Sequence, residues 1–297
     1  MSAADDTSPA AEADAGQADA VRYEATTSGV AVLTLNRPER LNTWGGDIAT
    51  AFYSSLERAE QDPAIRVIVL AGRGKAFCAG AHLGSMATVG ESLENTEQRD
   101  LSELVGERQP HYLTTLRKPV IAAINGSCVG IGFTLALMCD VRFAASGAKF
   151  AASFARRGLI AEYGVSWILP RLTGWAVALD LLLSGRTFLA EEAAALGLVK
   201  EVFASGQLMT RTMDYAEDIA RNCSPASMAV IKQQAYGDAT RDVVEANARE
   251  EVLLQESLLR PDVLEGIMSF FEKRAPNFPG LTAPDTTTCG TGKDHHG

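Results

Sequence analysis

The sequence predicts an α/β fold with a helical C-terminal part. Three observations carry this. Short, continuous apolar runs of strand length punctuate the first half of the chain, each closed by turn residues. Helical periodicity takes over from Gly164 onward. The 297 residues are 46% apolar and 22% charged, the balance of a globule with a sizeable core. A chain of this length buries about three quarters of its unfolded surface, so neither disulfides nor a metal are needed to hold it.

Each element follows from local chemistry. Val30–Leu35 is β-rich and closes at Asn36-Arg37-Pro38, a turn signal. Over 47–61, Ile48, Ala51, Phe52, Leu56 and Ala59 form a helical stripe, with Asp47 as its expected N-cap and Asp62-Pro63 as its stop. Val67–Ala71 and Val120–Ile124 are apolar throughout, as strands buried on both faces are. An apolar helix is expected over 132–139 and a strand over 141–145. Helices are then predicted over 164–172, 176–183, 190–196, 208–222, 226–236 and 241–259. Pro261 suits the first position of a last helix running to about Arg274. No repeat of fixed period is visible.

Residues 1–20 are Ala-rich and hold five acids and no base, half of the net charge of −10. They read as a disordered tail that lacks the basic start and apolar run of a secretory signal. Residues 279–297 are rich in Pro, Gly and Thr and read as a second flexible tail. The acidic balance excludes a general nucleic-acid binder, whose affinity rests on many Lys and Arg contacts to phosphate. No run approaches the ~20 apolar residues of a membrane span. The five cysteines are widely spaced and form no C-x-x-C, which argues against a disulfide framework or a zinc site and for a cytoplasmic location.

Two glycine-rich stretches follow buried strands: 72–83, containing Gly72, Gly74 and Gly80, and 125–134, containing Gly126, Gly130 and Gly132. Glycine there lets backbone amides approach a ligand, and a helix start adds partial positive charge. The regular nucleotide motifs fail. A dinucleotide fingerprint needs Gly at 135, which is Leu. Gly74-Lys75 lacks the spacing and the Ser/Thr of a P-loop, and Gly164-Val165-Ser166-Trp167-Ile168 lacks the last Gly of a nucleophile elbow.

Five stretches taken together resemble the crotonase (enoyl-CoA hydratase/isomerase) superfamily. They are Leu33-Thr34-Leu35-Asn36-Arg37-Pro38, Ala76-Phe77-Cys78-Ala79-Gly80-Ala81, and Lys118-Pro119-Val120-Ile121-Ala122-Ala123-Ile124-Asn125-Gly126. Leu135-Ala136-Leu137-Met138-Cys139-Asp140 and Phe271-Glu272-Lys273-Arg274 complete the set. The order and spacing match over roughly residues 25–278. The resemblance implies a ClpP/crotonase-like spiral of ββα units over 21–205 and a helical trimerisation region over 206–278. It implies a homotrimer, or a hexamer built as a dimer of trimers. It also implies an acyl-CoA thioester substrate, with coenzyme A entering as part of that substrate and no separate cofactor or metal. The backbone amides of Ala81 and Ile131 match the donors that polarise the thioester carbonyl. Further substrate contacts fall on Arg40, Leu41, Ala79, His82, Leu83, Thr134 and Lys273.

The departures are informative. Hydratases of this family use two glutamates; their positions hold Thr134 and Phe154. The segment Gly158-Leu159-Ile160-Ala161-Glu162-Tyr163-Gly164 resembles a single-glutamate branch that includes 3-enoyl-CoA to 2-enoyl-CoA isomerases, and Glu162 matches its proton-carrying glutamate. Taken without the resemblance, Glu162 also reads as a loop or helix-cap carboxylate. His82 stands where the family commonly has Asp, and reads as an acyl or water contact or as a structural neighbour of the loop. Lys273 and Arg274 match a position that meets the nucleotide end of CoA, or serve as helix-end cations. Arg37 joins Arg40 as a candidate phosphate contact. Trp44, Met86 and Trp167 read as acyl-pocket walls or as plain core, and Asp140 as structural. Isomerase-type proton shuttling by Glu162 is therefore expected. Enoyl-CoA hydration and non-catalytic acyl-CoA binding remain as alternatives.

Overall fold

The computed structural model describes residues 20–82 and 108–282. The readings of both tails, of Leu83 and of Met86 lie wholly or mostly outside those residues. The strands are β1 (Val21–Ala25), β2 (Val30–Leu35), β3 (Val67–Gly72), β4 (Ala76–Cys78), β5 (Val120–Ile124), β6 (Ser127–Val129), β7 (Val141–Ala145), β8 (Lys149–Ala151), β9 (Phe188–Leu189) and β10 (Glu201–Phe203). The helices are α1 (Gly46–Gln61), α2 (Tyr112–Thr115), α3 (Ile131–Leu137), α4 (Val165–Thr173), α5 (Trp175–Ser184), α6 (Ala190–Ala195), α7 (Leu208–Asn222), α8 (Pro225–Gly237), α9 (Val243–Leu258) and α10 (Pro261–Glu272).

One step repeats along the core. The chain lays a strand into a larger sheet, turns a corner, and lays a short strand into a smaller sheet. β3 is followed by β4, β5 by β6, and β7 by β8, with helices after the last two pairs. The larger sheet has the order β1-β2-β3-β5-β7-β10, antiparallel only between β1 and β2. The smaller has the order β4-β6-β8-β9, antiparallel only at its last pair. Each turn thus adds a strand to both sheets, which is the expected spiral of ββα units.

The larger sheet is buried on both faces. Strand alternation sends Ala31, Leu33, Ile68, Leu70, Ala122 and Ile124 into the core shared with α1 and the smaller sheet. It sends Val30, Val67, Val69, Ile121, Ala123 and Phe143 to the opposite face, under α7. That helix presents Leu208, Thr212, Ala216 and Ala220 at every fourth position, so its backbone comes close to the sheet.

A polar pin joins the helical region to this core. The Asp140 carboxylate accepts from the Val120 amide at 2.7 Å, the Lys232 ammonium at 2.7 Å and the Tyr236 hydroxyl at 3.0 Å. Lys232 also donates to the Lys118 carbonyl at 3.2 Å. Lys118 is itself fully buried and donates to the Ala59 and Asp62 carbonyls at 2.5 and 2.6 Å, capping the end of α1. Burial holds its pKa down at about 8.

The structure corrects several expectations. The N-cap of α1 is Gly45; Asp47 lies in the first turn, where its carboxylate takes up Arg37 and Arg40 instead. The mostly helical second part contains β9 and β10, and β4, β6 and β8 have three residues each, too short for alternation to show. Ala20, assigned to the tail, is fully buried and accepts from the Asn36 amide at 2.8 Å. Residues 279–282 are not loose either: Gly280 lies against the Pro63 carbonyl, and Arg117 donates to the Thr282 carbonyl at 2.9 Å.

The pin gives a stability prediction. Asp140→Ala strands the Lys232 charge, which is only 6% exposed. Urea denaturation is expected to show a loss of about 3–5 kcal/mol, the usual consequence of unpairing a buried ion.

Candidate active site

β4 and β6 lie side by side in parallel, with Cys78 opposite Cys128, so both strands end on the same side of the smaller sheet. Past β4, the chain is stitched to the segment 41–44. The Ala79 amide donates to the Leu41 carbonyl at 3.1 Å, the Trp44 amide to Gly80 at 2.8 Å, and the His82 amide to Trp44 at 2.9 Å. Alternate amides of such a bridge face opposite ways, so Ala81, between two engaged neighbours, directs its N–H away. That N–H has no partner among the described residues.

Past β6, the chain enters α3 directly. Ile131 is its first residue, and its amide has no acceptor within the helix; the Thr134 amide, at 3.0 Å from the Gly130 carbonyl, is the first to bond back. Gly130 is in a conformation open only to glycine (φ 56°, ψ −121°), and a Cβ there would lie 3.8 Å from the Gly80 Cα. The two loops are therefore in contact, and each contributes one unengaged amide. Gly132 is dictated by space: a Cβ would overlap the Cys78 carbonyl oxygen and lie 2.7 Å from the Cys78 Cβ. Two preorganised donors, one of them at a helix start, are suited to a carbonyl oxygen that gains negative charge.

Asn42 fixes the segment that carries Leu41 and Trp44, a role the sequence reading missed. It is fully buried, accepts from the Arg37 amide at 2.8 Å, and donates to the Arg73 and Ala76 carbonyls at 2.9 and 2.8 Å. Leu41 and Asn42 are both left-handed (φ 57° and 53°), and an Asn beside a Pro-containing turn is the signal that points there.

Glu162 sits in the turn before α4. Its carbonyl accepts from the Val165 amide at 3.2 Å, and Tyr163 and Gly164 follow in left-handed conformations. A Cβ on Gly164 would lie 3.2 Å from the Met138 methyl, which places this turn at the far end of α3. A helix of that length spans about 10 Å, so Ile131 and Glu162 flank the same short helix. The Glu162 carboxylate is half-buried and has no hydrogen bond or ion pair among the described residues. Burial raises its pKa, and nothing offsets that effect. The Tyr163 phenol beside it is pushed up to about 12, by burial and then by the Glu162 charge.

The other candidates separate. Thr134 is buried and turns its hydroxyl back to the Gly130 carbonyl at 3.4 Å, and Phe154 is buried apolar core. Neither offers a carboxylate. Arg40 holds Asp47 at 2.6 Å, so its charge is already met. Leu41 is 44% exposed, and Ala79 and His82 are half-buried beside the Ala81 bridge. Trp44 is core, edge-on to Phe52 at 5.4 Å and to Tyr53 at 6.2 Å, whereas Trp167 is covered by Arg171 at 4.2 Å. Lys273 is exposed at the left-handed cap of α10, and no hydrogen bond or ion pair among the described residues links it to the glycine loops. Arg274 is tied to Glu265 and Glu272. Among the described residues no cluster of three or more His, Cys, Asp or Glu could hold a metal ion, and no helix is long and apolar enough to cross a membrane.

Known proteins share this arrangement of sequence and fold. A family model described as enoyl-CoA hydratase/isomerase matches residues 25–281. A probable enoyl-CoA hydratase of Rhodobacter capsulatus is 36% identical over 260 residues, covering 88% of this chain and 98% of that protein. The 1,2-epoxyphenylacetyl-CoA isomerase of Escherichia coli is also 36% identical, over 85% of this chain and 95% of its own. The crystal structure of an enoyl-CoA hydratase from Mycobacterium marinum is 67% identical, with a TM-score of 0.64, covering 75% of this chain and 100% of that one.

The packing at Gly132 makes a prediction whose sign is diagnostic. An ordinary helical Gly→Ala change stabilises by up to about 1 kcal/mol. Gly132→Ala is expected instead to destabilise by about 1–3 kcal/mol in urea denaturation, because the new methyl group meets backbone.

Proposed function

The chain belongs to the enoyl-CoA hydratase/isomerase family of the crotonase superfamily, and from that premise we propose that it moves a double bond along an acyl-CoA, with Glu162 as its only base. One observation carries the reading. Among the described residues, a half-buried carboxylate with a raised pKa and no partner stands at one end of α3, an unengaged amide stands at the other, and the two hydratase positions hold Thr134 and Phe154.

In this reading the thioester carbonyl oxygen sits between the Ala81 and Ile131 amides. They draw electron density onto the oxygen and make the α-proton acidic. The Glu162 carboxylate takes that proton, and the C–H electron pair moves into a dienolate. Glu162 then returns the same proton to the γ-carbon, the double bond shifts into conjugation, and the base is regenerated. One amide donor of this kind contributes on the order of 10²–10³ in rate, and a positioned base about 10²–10⁴. A raised pKa suits a base that must also release its proton.

The remaining contacts follow from placement. Ala79, His82 and Leu41 border the thioester end, and exposed Lys273 is suited to a CoA phosphate; Arg40, already paired with Asp47, is a weaker candidate for one. Coenzyme A enters as part of the substrate. A homotrimer, alone or doubled to a hexamer, is supported by the large apolar side chains that α9 and α10 leave exposed, among them Val243 (81%), Leu258 (59%), Phe270 (78%) and Phe271 (75%). The buried free thiols of Cys78, Cys128 and Cys139 support a reducing, cytoplasmic setting.

Hydration of a 2-enoyl-CoA is the second reading, favoured by the names of several relatives. The two are separated in deuterated water with 3-enoyl- and 2-enoyl-CoA, wild type beside Glu162→Gln, products and label being followed by mass spectrometry. Double-bond migration with α-deuterium exchange, lost by at least ~10²-fold in the variant, is expected. Water addition at rates comparable to migration would overturn the single-base reading. Because the ionised carboxylate is required, the acid limb of kcat/KM is expected above the ordinary carboxyl value of 4.5, with activity rising as pH increases through it.

A further inference from the structure

Tyr53 is 8% exposed and its hydroxyl has no hydrogen-bond partner among the described residues. A buried polar group left unpaired is rare and calls for an explanation in the molecule's work. Its position supplies one. The Tyr53 ring stands edge-on to Trp44 at 6.2 Å, the residue whose backbone bridges Ala81. It stands edge-on to Tyr112 at 6.1 Å. It is also close enough to Tyr163, the residue after Glu162, that a phenolate there would oppose its ionisation. Tyr53 therefore lies between the strand that offers the Ala81 amide and the turn that offers Glu162. Its ring contacts there are aromatic, the Arg108 guanidinium is near enough for its charge to act on it, and none of these groups accepts its proton.

We propose that the Tyr53 hydroxyl is a specificity determinant, donating a hydrogen bond to an oxygen carried on the acyl chain of the substrate, beyond the thioester group. The inference rests on the reading that an acyl-CoA occupies the space between Ala81, Ile131 and Glu162. A plain alkyl chain would fill the aromatic surroundings but leave the donor unpaired in the complex. An acyl chain with a keto or hydroxyl oxygen at the right depth completes it. A site built around such a donor discriminates against the analogue that lacks the acceptor. Burial keeps the phenol un-ionised, so its proton is there to be donated. Tyr23 is a useful contrast. Its hydroxyl is also buried and unpaired, but its ring lies on β1 beneath the Arg58 guanidinium at 4.0 Å, with no contact to the glycine loops or to the Glu162 turn.

The test is calorimetric binding of unreactive, saturated thioesters of equal chain length: hexanoyl-CoA and its 4-oxo, 5-oxo and 6-hydroxy counterparts. Wild type is expected to bind one oxygenated ester about tenfold more tightly than hexanoyl-CoA. Tyr53→Phe, an isosteric change that melts no lower than wild type, is expected to bring that ratio to about one, and Tyr23→Phe to preserve it. Equal binding of all four esters by wild type, or an undiminished ratio in Tyr53→Phe, overturns the proposal while leaving the acyl-CoA reading intact. Failure of every ester to bind overturns both.

Discussion

The contact between the start of α3 and the end of β4 is the constraint on which the site depends. Two loops from different turns of the spiral meet there, backbone against backbone, because residue 132 has no side chain to keep them apart. Parallel pairing of β4 and β6 brings both loops to the same side of the smaller sheet. The bridge between Trp44 and Ala81 engages the Gly80 carbonyl and the His82 amide on either side of Ala81, and the helix start frees the Ile131 amide. Two donors are thus held in place by main-chain hydrogen bonds, whatever side chains stand at 81 and 131. The Ile131 side chain packs away into the core, so the role proposed for this residue falls to its N–H alone.

Around that contact, the fold works as a frame. Asn42 fastens the 41–44 segment to β4, Lys118 closes the end of α1, and Asp140 gathers β5 and α8 into one polar node. Asn42 and Lys118 are fully buried, Asp140 is half-buried, and all three are hydrogen-bonded, so each resists displacement of the elements it joins. The proposed base, Glu162, comes from a separate place, a turn with two left-handed residues packed against the opposite end of α3. A single helix therefore sets the separation between the Ile131 amide and the Glu162 carboxylate. Glu162 is the less restrained partner, with no hydrogen bond among the described residues to fix its carboxylate, which suits the proton shuttling proposed for it.

Much of this was legible in the residues. β3 and β5 announced themselves because both of their faces are covered, by the core shared with α1 and the smaller sheet on one side and by α7 on the other, and continuous apolar runs result. The glycine stretches marked the loops, and the substitutions at Thr134 and Phe154 marked the lone carboxylate. The smaller sheet was hidden because two or three residues carry no period, and its strands are defined by their neighbours alone. Asp47 has the chemistry of an N-cap, but two arginines within reach compete for it. The packed ends at Ala20 and at 279–282 were invisible because composition does not report the long-range partners, Asn36, Pro63 and Arg117, that hold them. Asn42 and Tyr53 escaped for a similar reason: their roles come from what does or does not face them in space.

The central claim is that the Ala81 and Ile131 amides jointly polarise a bound thioester carbonyl. An isotope-edited infrared difference spectrum of hexanoyl-CoA labelled with carbon-13 at its carbonyl tests this most directly, because the stretch reports bond order at the one atom that the two donors share. The account predicts a stretch at lower frequency in the complex than in free solution, with the shift largely lost in Gly132→Ala, whose loops are forced apart. A bound ester with the frequency of the free one, or a shift unchanged in that variant, would contradict it.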